Sequence, residues 1–221
     1  MKLLIDALTK FACGLVLVGL LLFLPAGTLG YAGGWLLIGL LFGPMLIAGF
    51  VMLFKSPDFL AKRLDVKEKQ ATQKGVVAFS GLMFIAGFVV AGLDYRFGWS
   101  NMPLWVTVAA AVLFLAAYLL YAEVMRENAY LSRTVKVEEG QTVVDTGLYG
   151  IVRHPMYMAT IFLFLAMPIV LGSWYALIVF AFYPAIIIVR LKDEEELLTR
   201  ELDGYEAYKK KVKYRILPFI W

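Results

Sequence analysis

The stretch FACGLVLVGLLLFLPAGTLGYAGGWLLIGLLFGPMLIAGFVMLF, residues 11–54, contains no Asp, Glu, Lys or Arg. A helix crosses the hydrocarbon core of a bilayer with about 20 apolar residues, so this run is long enough for two spans. Its middle, from Pro25 to Gly34, concentrates glycine and proline and reads as the turn between them. Working outward, three further charge-free runs follow, at residues 75–93, 97–122 and 155–189. The first two hold one span each. The last holds two short ones separated by Leu171-Gly172-Ser173, a tight hairpin that barely crosses. The chain is therefore expected to be an all-α, multi-pass membrane protein of about six helices, near residues 11–27, 34–54, 76–93, 104–122, 155–171 and 174–191. It forms one membrane domain, with 1–134 as transmembrane scaffold and 135–221 as the region that carries chemistry.

Composition agrees. Of 221 residues, 62% are hydrophobic and only 17% charged, where a soluble domain carries about 25% charged. The polar segments in chain order hold 2, 0, 6, 1, 4, 0 and 8 Lys plus Arg. By the positive-inside rule, both termini and the 55–75 and 123–154 loops face the cytoplasm. The membrane is the cell membrane in a prokaryote or the endoplasmic reticulum in a eukaryote. The net charge of +4 is accounted for by this topology, and no nucleic-acid partner is implied. Cys13 is the only cysteine, so no internal disulfide is possible. Lys2 and Lys10 ahead of Phe11–Leu24 also resemble a signal peptide, but Asp6 interrupts the basic region, and cleavage would leave five spans.

The first four spans contain no ionisable side chain, which excludes a proton relay, an ion pathway or a voltage sensor. Gly39, Gly43, Pro44 and Gly49 suit close helix packing or a kink in the second span. Polar residues gather instead at the ends of the last two spans, in 141–157 and 190–215. The only histidine lies in Arg153-His154-Pro155-Met156-Tyr157. Pro155 suits the first position of a helix, which puts His154 at the helix entrance, Tyr157 in the first turn, and the free N–H groups of that turn in place to hold an anion. Arg190 and Glu194 share a helix face at i,i+4 spacing, a pairing worth a few tenths of a kcal/mol if it is only a salt bridge. Tyr205 and Tyr208 precede a tail with five basic residues between Lys209 and Arg215, which would hold it against an anionic leaflet.

Gly147-Leu148-Tyr149-Gly150-Ile151-Val152-Arg153-His154-Pro155-Met156-Tyr157 resembles the G-x-Y-x-x-x-R-H-P-x-Y signature of isoprenylcysteine carboxyl methyltransferases and the related phospholipid methyltransferases. Arg190-(x)3-Glu194-Glu195, Gly204-Tyr205-(x)2-Tyr208 and Leu217-Pro218 follow in matching order. The resemblance covers residues 135–221. It implies S-adenosylmethionine as cofactor, held by a strand-like segment Gln141-Thr142-Val143-Val144, by Tyr149, by His154, Pro155, Met156 and Tyr157, and by Glu194. It places Arg190 on the side of the methyl acceptor, as the catalytic residue, and it implies no metal. The acceptor implied is a lipid or lipidated molecule entering from the bilayer, such as the carboxylate of a prenylated cysteine. One departure is the turn Leu202-Asp203-Gly204-Tyr205, where many members read F-G-x-x-Y.

The chemistry is compatible with these residue types. Methyl transfer from a sulfonium is an in-line displacement, which alignment and exclusion of water accelerate. A carboxylate acceptor is already ionised at neutral pH and suits a two-pronged contact with Arg190. An amine acceptor must lose a proton, and His154 or Glu194 would then serve as base. Two other classes compete: a membrane reductase of the sterol-reductase type using NADPH, and a non-catalytic adaptor anchored by its basic tail. No G-x-G occurs, so a Rossmann-type site is not available.

Overall fold

The computed structural model describes residues 1–64, 71–132, 134–135, 137 and 139–221. Lys67 and Lys69 of the 55–75 loop, and Arg133 and Lys136 of the 123–154 loop, lie outside the described residues. The helices are α1 (Lys2–Ala26), α2 (Ala32–Lys55), α3 (Pro57–Leu64), α4 (Ala71–Phe97), α5 (Leu104–Glu127), α6 (Pro155–Val170), α7 (Trp174–Phe180), α8 (Tyr183–Glu201) and α9 (Tyr205–Lys211), with a 3-10 turn at Gly147–Gly150.

Five segments are long and apolar enough to cross a membrane: α1, α2, α4, α5, and α7 with α8 as one unit, Trp174–Glu201. The sixth expected span, α6, has 16 residues. At 1.5 Å per residue it is about 24 Å long, the short arm expected of the hairpin, and it runs from the His154 end of the molecule to the turn at Ser173, which bonds to Asp94. The hairpin is asymmetric. In its second arm the helix continues through Asp193–Leu198, as the shared face of Arg190 and Glu194 requires, beyond the apolar span that ends near residue 191. Gly172 makes the turn in the left-handed region at φ 76°, and Ser173 caps α7 by accepting a bond of 3.0 Å from Ala176 N–H. The α1–α2 turn is shorter than the glycine-rich run suggested, because Pro25 stays within the last turn of α1.

One further expectation is corrected. Gly39, Gly43 and Gly49 face open space and mediate no close packing. Intimate approach occurs at Gly92, where a Cβ would meet the Leu22 carbonyl of α1, and at Gly87, where it would overlap the Phe180 ring. The helices also run past the ends of the charge-free spans. α4 extends to Phe97 and so includes Asp94, which is 2% exposed. Its carboxylate accepts from Ser100 N–H (2.7 Å), from Ser100 Oγ (2.6 Å) and from Ser173 Oγ. A buried polar group is tolerated when it is hydrogen-bonded, and here Asp94 ties the end of α4 to the α6–α7 turn.

The core joins α1, α2, α4, α5, α6, α7 and α8. Phe84, Phe164, Phe180 and Tyr183 form an edge-to-face cluster, with ring centroids 4.8 Å apart for Phe84–Phe164 and 4.6 Å for Phe164–Tyr183. Such pairs add to simple area burial. At the end opposite Asp94 the polar segments collect. Lys10 of α1 donates to the Leu64 carbonyl of α3 (2.9 Å), and Phe59 of α3 packs on a cluster containing Val124, Leu131 and Tyr149.

Candidate active site

The start of α6 is positioned by the C-terminal segment. Val152 pairs in parallel with Tyr214 as an isolated bridge, Arg153 N–H donates to the Tyr214 carbonyl (2.9 Å), and His154 N–H donates to the Arg215 carbonyl (2.8 Å). His154 is the N-cap of α6 with Pro155 at its first position, as the sequence implies. Behind this junction lies Glu195, 5% exposed. One carboxylate oxygen accepts from Arg153 Nε (2.6 Å) and lies 3.2 Å from His154 Nε2; the other accepts from Arg215 Nε (3.0 Å). Arg153 Nη1 also donates to the carbonyls of Val212 (2.7 Å) and Lys213 (3.0 Å). Glu195 thus fastens α8, the entrance of α6 and the C-terminal segment together. The sequence marked it only as the second residue of an E-E pair, and that pair was the signal that could have identified it.

Glu194, one residue earlier, points elsewhere. Tyr157 Oη donates to its carboxylate and accepts from Arg190 Nε at 3.0 Å. The i,i+4 spacing does place Arg190 and Glu194 on one face of α8, and Tyr157, reaching over from α6, links them. The His154 and Tyr157 rings stack with centroids 5.6 Å apart.

Tyr149 is carried by the 3-10 turn. That turn begins at Gly147 with φ 47°, where a Cβ would overlap the Glu127 carboxylate. Glu127, at the end of α5, grips the turn by accepting from Thr146 Oγ1 (2.9 Å) and Leu148 N–H (3.2 Å). Tyr208 Oη donates to the Tyr149 carbonyl (2.7 Å). Burial raises the Tyr149 and Tyr208 hydroxyls well above the ordinary phenol value, so both are protonated at neutral pH.

Residues 141–144 form no strand, and consecutive valines pack on different clusters. Val143 packs with the Leu202, Tyr205, Tyr208 and Val212 cluster, and Val144 with the Val124, Leu131 and Tyr149 cluster.

Between these parts lies a cleft that opens to solvent. It is lined by Gln141, Thr142, Val143, Val144, Tyr149, His154, Met156, Tyr157, Arg190 and Glu194. Pro155 is buried without lining it; its place is at the helix start. Sequence reasoning missed the wall made by Asn128, Tyr130, Leu131, Ser132, Thr134 and Val135, which belong to no motif, and assigned no role to Tyr205 and Tyr208, which also line the cavity. Tyr205 Oη is buried with no hydrogen-bond partner.

Residues 106–200 match the model of the isoprenylcysteine carboxyl methyltransferase (ICMT) family. The match starts within α5, earlier than the motif resemblance at 135, and stops short of the tyrosine pair. Among curated proteins, the chain is 29% identical over 91 residues to delta(14)-sterol reductase TM7SF2 of Mus musculus, covering 40% of this chain and 22% of that one. It is 24% identical over 136 residues to delta(14)-sterol reductase of Methylotuvimicrobium alcaliphilum, covering 55% of this chain and 32% of that one. The matched segments thus span less than a third of either reductase. The family match bears out the resemblance carried by the 147–157 motif and supports a membrane methyltransferase.

Proposed function

We propose, from the family match over residues 106–200, that this protein is an S-adenosylmethionine-dependent methyltransferase acting on the carboxylate of a prenylated cysteine or a similar amphiphile. The observation that carries the reading is a cavity lined by a buried, unpartnered hydroxyl together with an acidic and a basic side chain. Tyr205 Oη has no partner. Tyr149 Oη accepts from Asn128 and among the described residues donates to nothing. Glu194 and Arg190 stand on one wall, held by Tyr157.

This donor set suits the cofactor, which presents an ammonium, a carboxylate, a ribose and an aromatic base. Glu194 would hold the ammonium or ribose. The Met156 N–H, at the start of α6, would face the carboxylate. Val143, Leu198 and Leu202 offer apolar surface for the base. When bound, the cofactor supplies a methyl group on a sulfonium, open to in-line displacement. Arg190 would orient the acceptor carboxylate through its planar fork. His154, with Nε2 close to Glu195, is held in orientation as a wall of the site. The buried start of α6 limits water at the reacting end.

The cavity lies at the end of the molecule where Lys10, α3 and the C-terminal segment collect. With the alternation of basic residues, this supports a cytoplasmic placement of the site and both termini. The reductase matches favour a second reading, in which the cavity takes NADPH. Calorimetric titration with S-adenosylmethionine and with NADPH, beside methyl transfer to N-acetyl-S-farnesylcysteine in nanodiscs, decides between them. Saturable S-adenosylmethionine binding with ester formation is expected. Binding of NADPH alone would replace the methyltransferase reading. Cofactor binding without ester formation, but with methylation of phosphatidylethanolamine, would change the acceptor to a phospholipid amine.

A further inference from the structure

Asn128 follows the last residue of α5, lines the cavity, and belongs to none of the motifs that mark the site. Its side chain is a link in a chain of hydrogen bonds with a fixed direction. The Tyr130 backbone N–H, which can only donate, gives its proton to Asn128 Oδ1 (2.9 Å). That identifies the oxygen side of the amide and turns Nδ2, a pure donor, towards Tyr149, whose Oη it meets at 3.0 Å. Tyr149 Oη therefore receives a bond from the protein, and its own proton is left to be donated. Glu127 and Tyr208 hold the turn that carries this ring, so the hydroxyl is not free to move away. Tyr149 lines the cavity.

We infer that Asn128 is a positioning residue that makes the Tyr149 hydroxyl an obligatory donor to the bound ligand, which must present a hydrogen-bond acceptor there: a carboxylate, a ribose oxygen or a ring nitrogen. The inference rests on the reading of the cavity as a cofactor site, and it deepens that reading by setting the polarity of one contact.

Full-length protein in nanodiscs titrated with S-adenosylhomocysteine tests it. Tyr149→Phe removes only the oxygen and should weaken binding about threefold to tenfold, the worth of one hydrogen bond. Asn128→Asp should cost as much, because a carboxylate takes the Tyr149 proton for itself. Asn128→Ala should cost less than Asn128→Asp, since the hydroxyl can still donate although nothing then turns its proton to the ligand. Adding Asn128→Asp to Tyr149→Phe should cost no more than Tyr149→Phe alone. Equal losses for Asn128→Ala and Asn128→Asp would overturn the inference, as would an Asn128→Asp loss undiminished without the hydroxyl. If Asn128→Asp does not fold, Tyr149→Phe decides alone: wild-type affinity sinks the proposal. If the wild type binds NADPH in place of S-adenosylhomocysteine, the cofactor reading falls and the same variants titrated with NADPH test the relay. Binding of neither ligand overturns both.

Discussion

Glu194 and Glu195 are adjacent in sequence, and their substitutions should fail in different ways. Glu195→Ala removes the acceptor shared by Arg153, His154 and Arg215. The side chains of Arg153 and Glu195 are each 7% exposed, whereas Arg215 is 33% exposed. Breaking a buried ion pair by deleting one partner costs about 3–5 kcal/mol, because the remaining charge is stranded. Arg153 keeps its bonds to the Val212 and Lys213 carbonyls, and Arg215 reaches solvent, so the expected loss is about 3 kcal/mol, the lower end of that range. Glu195→Gln keeps the volume and one acceptor and should lose roughly half as much. Glu194→Ala, by contrast, should change stability by less than about 1 kcal/mol while weakening cofactor binding at least tenfold. The assay is denaturant unfolding of purified protein in mixed micelles, paired with cofactor titration. A Glu195→Ala protein as stable as wild type, or a Glu194→Ala protein that unfolds as easily as Glu195→Ala, would refute the division of labour.

Three further outcomes are expected. His154→Ala should weaken cofactor binding at least tenfold, about 1.4 kcal/mol; calorimetry at wild-type affinity would remove it from the site. Arg190→Lys keeps the charge but loses the planar fork, so turnover should fall steeply with cofactor affinity near wild type; wild-type turnover would refute an acceptor-orienting role. Single cysteines at positions 30 and 99 of a Cys13→Ala protein should label from outside and those at 65 and 140 should not; external labelling at 140 would reverse the topology.

Much of the architecture could be read from the chain because a bilayer imposes a one-dimensional rule. Charge-free runs of sufficient length become helices, and their flanking charges are legible without any contact being known. Pro155 at the start of α6, and the continuation of helix through Asp193–Leu198, followed from local chemistry alone. The same locality explains the errors. Gly39, Gly43 and Gly49 have the composition of a packing face but look onto open space, while Gly87 and Gly92 are pressed against Phe180 and Leu22; which face of a helix meets a neighbour is not a property of that helix.

At the site, sequence determined which residue types are present and which share a face: Arg190 with Glu194, and His154 with the first turn of α6. Only the tertiary structure decided what each polar atom spends its hydrogen bonds on. Tyr157 reaches from α6 to link Arg190 and Glu194, Glu195 turns inward to Arg153 and Arg215, and Asn128 receives from Tyr130 and gives to Tyr149. A hydrogen bond depends on distance and direction to within a few tenths of an ångström and a few tens of degrees, and residues 21 or 42 positions apart acquire such geometry only when the helices that carry them pack.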